Sequence, residues 1–271
     1  MRVTAKEARV TSSTHFSWAD WQQWREQGWS VARIARHVHL SPSRVNQIAR
    51  RLGRTPANDP QYQKTRPGPR WSWDVTTESG AYTLGLLWGL ASLTSPTTLL
   101  IRHRDKGRLE QLRDLLGLTS HIITGPSLAK PSRLKISRAA DRQSILAVLD
   151  AQGWTPRQAT VRSYPSHPAL HHAAFIRAWA ELHAAADRAR SGRSPRRIPR
   201  LRIYGNTAFI HTMNTYITAA TQLSRTPQKT SNHITRALYY TGSSVPTLLQ
   251  WLYAGATIYY QPARDRLEHC L

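Results

Sequence analysis

The chain has 271 residues, with 38 Lys and Arg against 15 Asp and Glu, for a formal net charge of +23. An excess of that size points to a polyanionic partner, nucleic acid ahead of an anionic membrane surface, and the preference for Arg favours bidentate contacts. A single cysteine, Cys270, excludes an intrachain disulfide and a Cys-based zinc site. The longest apolar run, Leu84 to Leu93, is about half of the ~20 residues that a membrane helix needs.

Residues 1–10 carry charges and no apolar centre, unlike a signal peptide. The expected location is therefore the cytoplasm, at the nucleoid, with no membrane partner, no small-molecule substrate and no cofactor. Residues 1–53 read as a small helical module. Trp18, Trp21 and Trp24 recur on one face of a first helix that Gly28 stops. Ser30 caps a second helix with Val31, Ile34, Ala35 and Val38 as its apolar positions. Ser41 caps a third with Pro42 at its first position, Val45, Ile48, Ala49 and Leu52 on the buried side, and Gly53 as its end. Two short amphipathic helices around a tight turn make a helix-turn-helix pattern. The polar face of the third helix carries Ser43, Arg44, Asn46, Gln47, Arg50 and Arg51. Arg matches guanine edges, and Asn or Gln matches adenine edges, so these residues form a candidate reading face. Residues 30–53 resemble helix-turn-helix modules of the sigma-factor kind.

Residues 54–80, with Pro56, Pro60, Pro67 and Pro69, read as a linker. Beyond it lie two halves, 81–152 and 169–271, joined by a second linker over 153–168. Each opens with a helix that is apolar nearly all round, over 82–92 and 175–185. In the first half a strand at 98–102, a helix at 105–116, strands at 121–124 and 133–137 and a helix at 141–152 follow. In the second the order repeats: a strand at 200–204, a helix at 207–223, strands at 227–229 and 234–239, and a helix at 245–253. The expected class is α+β, an αββαββα unit present twice. The strands carry Arg102, Arg104, Arg133, Lys135, Arg138, Arg200, Arg202 and Arg236, and an expected loop or hairpin over 188–197 adds Arg196 and Arg197. Alternation places Arg133, Lys135 and Ser137 on one face, and Arg200 with Arg202 on another. A basic concave sheet is what contact with a phosphate backbone requires.

Residues Tyr82–Ser92 resemble the motif helix of LAGLIDADG homing endonucleases, Phe175–Ala185 resembles the second such helix, and Leu248–Tyr260 resembles the segment that closes the family's fold. The resemblance implies a pseudo-twofold saddle on the major groove of double-stranded DNA, with the two motif helices packed together through Gly85 and Ala178. In the family, the last acid of each motif holds the catalytic metals; the aligned positions here are Leu90 and His183. Both acids being replaced, the implied protein binds DNA without cutting it, and no catalytic or metal residue is expected. Transcription factors of the WhiA type are similar in joining such a scaffold to a helix-turn-helix. The expected function is a sequence-specific, monomeric DNA-binding protein acting as a transcriptional regulator or site-binding factor. The alternatives are a maturase-like RNA binder and an endonuclease using displaced acids, Glu181, Glu78 or Asp74. The histidines, His171 and His172 included, fall in no metal-site spacing.

Overall fold

Ser17, Ser30 and Ser41 each open a helix. Their hydroxyls accept the backbone N–H three residues on, at 3.2 Å in each case, and so satisfy one of the donors a helix start leaves open. The helices are α1 (Trp18–Glu26), α2 (Val31–His37) and α3 (Pro42–Arg51). The computed structural model describes residues 16–55, 58–59, 74–95, 98–125, 130–156, 162–190, 196–231 and 234–271, and the chain divides into two units, 1–68 and 69–271. In the first unit Trp21, Ile34, Val45 and Ala49 are fully buried and Phe16, Trp24 and Trp29 pack around them. The turn between α2 and α3 passes through His39 at φ 51°, a left-handed conformation unusual for a residue other than glycine. Leu52, expected on the buried side of α3, is 37% exposed. It is the C-cap residue, one position past the helix, and so leaves the apolar stripe.

The second unit holds α4 (Glu78–Leu90), β1 (Ala91–Ser95), β2 (Thr98–His103), α5 (Lys106–Leu115), β3 (Ile122–Ile123), β4 (Ser132–Ile136) and α6 (Ala139–Ala151). Its second repeat holds α7 (His172–His183), β5 (Ala184–Arg190), β6 (Arg197–Asn206), α8 (Thr207–Thr221), β7 (Gln228–Lys229), β8 (Thr235–Thr241) and α9 (Ser244–Tyr253), followed by α10 (Gln261–Glu268). Two αββαββα repeats are therefore present. Each forms a four-stranded antiparallel sheet of the same order, β1-β2-β4-β3 and β5-β6-β8-β7.

Two local expectations change. The first motif helix starts at Glu78, where Thr77 caps it by accepting the Gly80 N–H at 3.2 Å. Both motif helices stop short of the expected ends, because Ala91 and Ala184 turn to extended backbone at ψ 142° and 151° and lead straight into β1 and β5. Of the expected loop or hairpin over 188–197, the described ends are the two strands of a hairpin: Arg190 closes β5 and pairs with Arg197, which opens β6.

Helices α4 and α7 pack side by side at the centre. A Cβ on Gly85 would stand 2.7 Å from the Ala178 Cβ and 2.8 Å from the Phe175 carbonyl oxygen, so only glycine permits this approach. One core runs through both repeats, from Leu84 and Trp88 across Phe175 and Trp179 to Leu201, Phe209 and Leu248. Each sheet turns one face to this core, as β4 shows: Ser132, Leu134 and Ile136 are buried, while Arg133 and Lys135 are exposed. Among the described residues no helix is long and apolar enough to cross a membrane.

Candidate nucleic-acid interface

The outer face of the first sheet is basic and, among the described residues, without counter-charge. Arg102 stands directly opposite Arg133, Lys135 opposite Leu100, and Ile123, 55% exposed, beside Arg133 on the edge strand. Like charges placed directly opposite cost a sheet stability. Among the described residues Arg102, Arg133 and Lys135, with Arg104 just beyond β2, make no ion pair or side-chain hydrogen bond. Such a face favours a polyanion laid across it.

The second sheet is built differently. Leu201 and Ile203 face the core, so Arg200 and Arg202 point outward, opposite Thr241 and Tyr239. Asp187 of β5, paired with Arg200 in the ladder, lies between them. Its carboxylate accepts from Arg200 through Nε and Nη2, both at 2.7 Å, and from Arg202 through Nη2 at 2.7 Å. The Arg200 hydrogen bonds hold the Asp187 carboxyl below its ordinary range against a smaller burial effect. Sequence patterning missed Asp187, since an acid within a basic run offers no periodic signal.

Besides Arg104, four of the expected DNA-facing residues of the second unit sit elsewhere than on an outward strand face. Arg236 shares its register side with Leu238 and Tyr240, hence the core side, and donates to the Thr235 carbonyl at 3.3 Å. Arg197 shares the Leu201 side at the very start of β6. Arg138 is no strand residue but the N-cap of α6, 3.8 Å from Asp141. Arg196 is exposed and precedes β6. Arg188, another member of that basic run, donates to the Cys270 and Leu271 carbonyls at 3.1 and 2.6 Å.

On α3, Ser43, Arg44, Gln47, Arg50 and Arg51 are exposed and Asn46 is half-buried. Arg44 donates to Gln47 Oε1 at 2.7 Å. Arg54 donates to Asn46 Oδ1, also at 2.7 Å, which occupies the acceptor of that amide and not its N–H donors. Arg54 is itself held with Arg25 by the buried Asp59, at 2.8 and 3.0 Å. Burial pushes the Asp59 carboxyl up, yet the two guanidiniums outweigh it and keep the carboxyl below its ordinary range.

Leu90 and His183 occupy the ends of the two motif helices, and a Cβ on Gly89 would lie 2.8 Å from His183 Nε2. That nitrogen is shielded and unpartnered among the described residues, and burial, then the nearby His103 and Arg162, lower the imidazole to about 4. Arg162, unremarked in the sequence, caps the end of α4. It donates to the carbonyls of Trp88, of Ala91 at 2.5 Å and of Thr155 at 2.9 Å, and lies 4.5 Å over the Trp154 ring. Burial brings its guanidinium down to about 10.

The acids expected as displaced catalytic groups are engaged in holding the fold. Glu181 is buried against Arg108 at 2.7 Å, accepts from Tyr82 and, at 3.3 Å, from Tyr253, and takes the Tyr260 N–H at 3.3 Å. Glu78 pairs with the buried Arg177 and takes the Thr257 hydroxyl at 2.6 Å and the N–H groups of Thr257 and Ile258 at 3.0 and 3.3 Å. Asp74 forms the turn before α4, accepting from the Thr76 N–H at 2.9 Å and the Thr76 hydroxyl at 2.6 Å. The closing segment around 257–260 thus fastens one carboxylate from each motif helix, a role its sequence did not disclose.

Comparison with known proteins gives a fold. No protein-family model and no curated protein matches the chain. Among solved structures, the I-LtrWI LAGLIDADG homing endonuclease bound to target DNA superposes with a TM-score of 0.51 at 10% identity, over 70% of this chain and 87% of that one. The LAGLIDADG meganuclease I-AabMI bound to uncleaved DNA gives 0.51 at 11% identity, over 70% and 88%. The fold of the duplicated region is LAGLIDADG-like. The expectation of a non-enzyme is overturned here, because the structures that share the fold are homing endonucleases.

Proposed function

We propose that this chain is a sequence-specific, double-stranded DNA-binding protein that lays its two sheets along one duplex. The observation that carries this reading is the outer face of the first sheet, where Arg102, Arg133 and Lys135 stand exposed with no carboxylate partner among the described residues. Outward Arg200 and Arg202 extend the basic surface onto the second sheet. The two homing endonuclease structures compared above were determined on DNA, which supports the reading. Helix α3, with Arg44, Asn46, Gln47, Arg50 and Arg51, is proposed as a second reading element; tethering it to the sheets raises its effective concentration at a neighbouring site. One chain carries both repeats, so a monomer covers a long site, and site-specific regulation of transcription suits that stoichiometry. Competition gel shifts between duplex DNA and structured RNA test the reading. Retention of duplex against excess RNA is the expected result, and preference for RNA overturns it.

Endonuclease activity is the second reading, and the shared fold favours it. Supercoiled plasmid carrying the selected site, incubated with Mg²⁺ or Mn²⁺, tests it. Linear product supports cleavage, and intact plasmid at saturating protein refutes it.

A further inference from the structure

The two sheets present their cations in different ways. The first displays three with no carboxylate partner among the described residues. The second places Asp187 among its arginines, each bond 2.7 Å long. A carboxylate on a phosphate-binding face is counterproductive, since it cancels one positive charge and repels the backbone it faces. Its geometry suits another task. Asp187 occupies the Nε–Nη2 edge of Arg200, and the Nη1–Nη2 edge of the same planar group stays open among the described residues. That open edge holds two parallel N–H donors, a match for the O6 and N7 acceptors of guanine. Adenine offers a donor where guanine has O6, so the same edge rejects it. Arg202 braces the shared oxygen from the other side, with Tyr239 opposite it in the ladder. A long flexible side chain is thereby held in one orientation before DNA arrives.

We infer that Asp187 is a positioning residue that presents Arg200 as a guanine reader, so that the second sheet discriminates sequence while the first grips the backbone. This rests on the duplex-DNA reading above. Selection from randomised duplexes with the full chain, its Asp187→Ala variant and its Arg200→Lys variant tests it. The wild type is expected to select a guanine at one position, and both variants are expected to lose that preference by roughly tenfold. Arg200→Lys keeps the charge and loses the fork. On random duplex the Asp187→Ala affinity should hold or rise, because a negative charge has gone. Duplex binding with no guanine preference in the wild type, or a preference that survives in either variant, refutes this inference alone. Parallel loss on selected and random DNA makes Asp187 a merely structural residue and also refutes it. A wild-type chain that binds no duplex overturns the DNA reading itself.

Discussion

Glu181 is an acid in the centre of an apolar core, and its burial depends on its partners. Arg108, two tyrosine hydroxyls and a backbone N–H surround it. Removing one member of such a buried pair leaves the other uncompensated, so Glu181→Ala should cost about 3–5 kcal/mol, while replacing Glu181 and Arg108 together by Met should recover much of it. Urea unfolding checks this; a single variant within ~0.5 kcal/mol of wild type contradicts it. His183 gives a pH effect of definite sign. Its folded value of about 4 lies below the ordinary 6.5, so between those values the unfolded chain binds more protons. Stability should fall as pH drops from 6.5 to 4, by on the order of 2 kcal/mol, and the His183→Leu variant should lack that slope. Unfolding midpoints measured across this window decide it, and an unchanged slope in the variant rules it out. Glu78 and Asp59 act lower: with folded values depressed, their contribution is present above the ordinary carboxylate range and disappears as acid titrates them below it.

Among the elements, the packing of α4 on α7 has the tightest tolerance. Gly85→Val places methyl groups where the Ala178 Cβ and the Phe175 carbonyl already stand, and should cost about 1–3 kcal/mol or more by forcing the helices apart. Differential scanning calorimetry reads the loss, and a melting temperature equal to wild type contradicts the packing argument. This helix pair was legible in the sequence, because apolar residues on nearly every face leave a helix no place but the core. The strands that follow it were not. β5 reads Ala-Ala-Ala-Asp-Arg-Ala-Arg, a poor strand by propensity, and it is extended only because β6 lies alongside for its whole length. The outward face of β4 was legible through strict alternation, whereas Arg236 was not assignable without knowing which of its neighbours met the core. Partnership was the hidden quantity. The chain's arginines are plain in its sequence, but not which of them Asp187, Asp59 or a helix end would engage.

For the whole molecule, charge sets the binding behaviour. A net charge of +23, with a basic sheet face unpartnered among the described residues, predicts that DNA affinity falls steeply with salt. Alanine at Arg102, Arg133 and Lys135 together should flatten the log–log salt slope by roughly 1 for each phosphate no longer neutralised, read by fluorescence anisotropy, and an unchanged slope would take the duplex off this sheet. The clasp at 257–260 bears on how the chain reaches this state. Glu78 meets Thr257 across 179 residues, and Tyr82 meets Glu181 across 99. Pairings so distant along the chain form late and slow the search. The first repeat supplies Glu78 and Arg108, the second Arg177 and Glu181, and each ion pair crosses between repeats. Neither repeat is electrically complete when expressed alone. The two repeats are thereby obligate partners, since a split between them would part all four charges from their ionic counterparts.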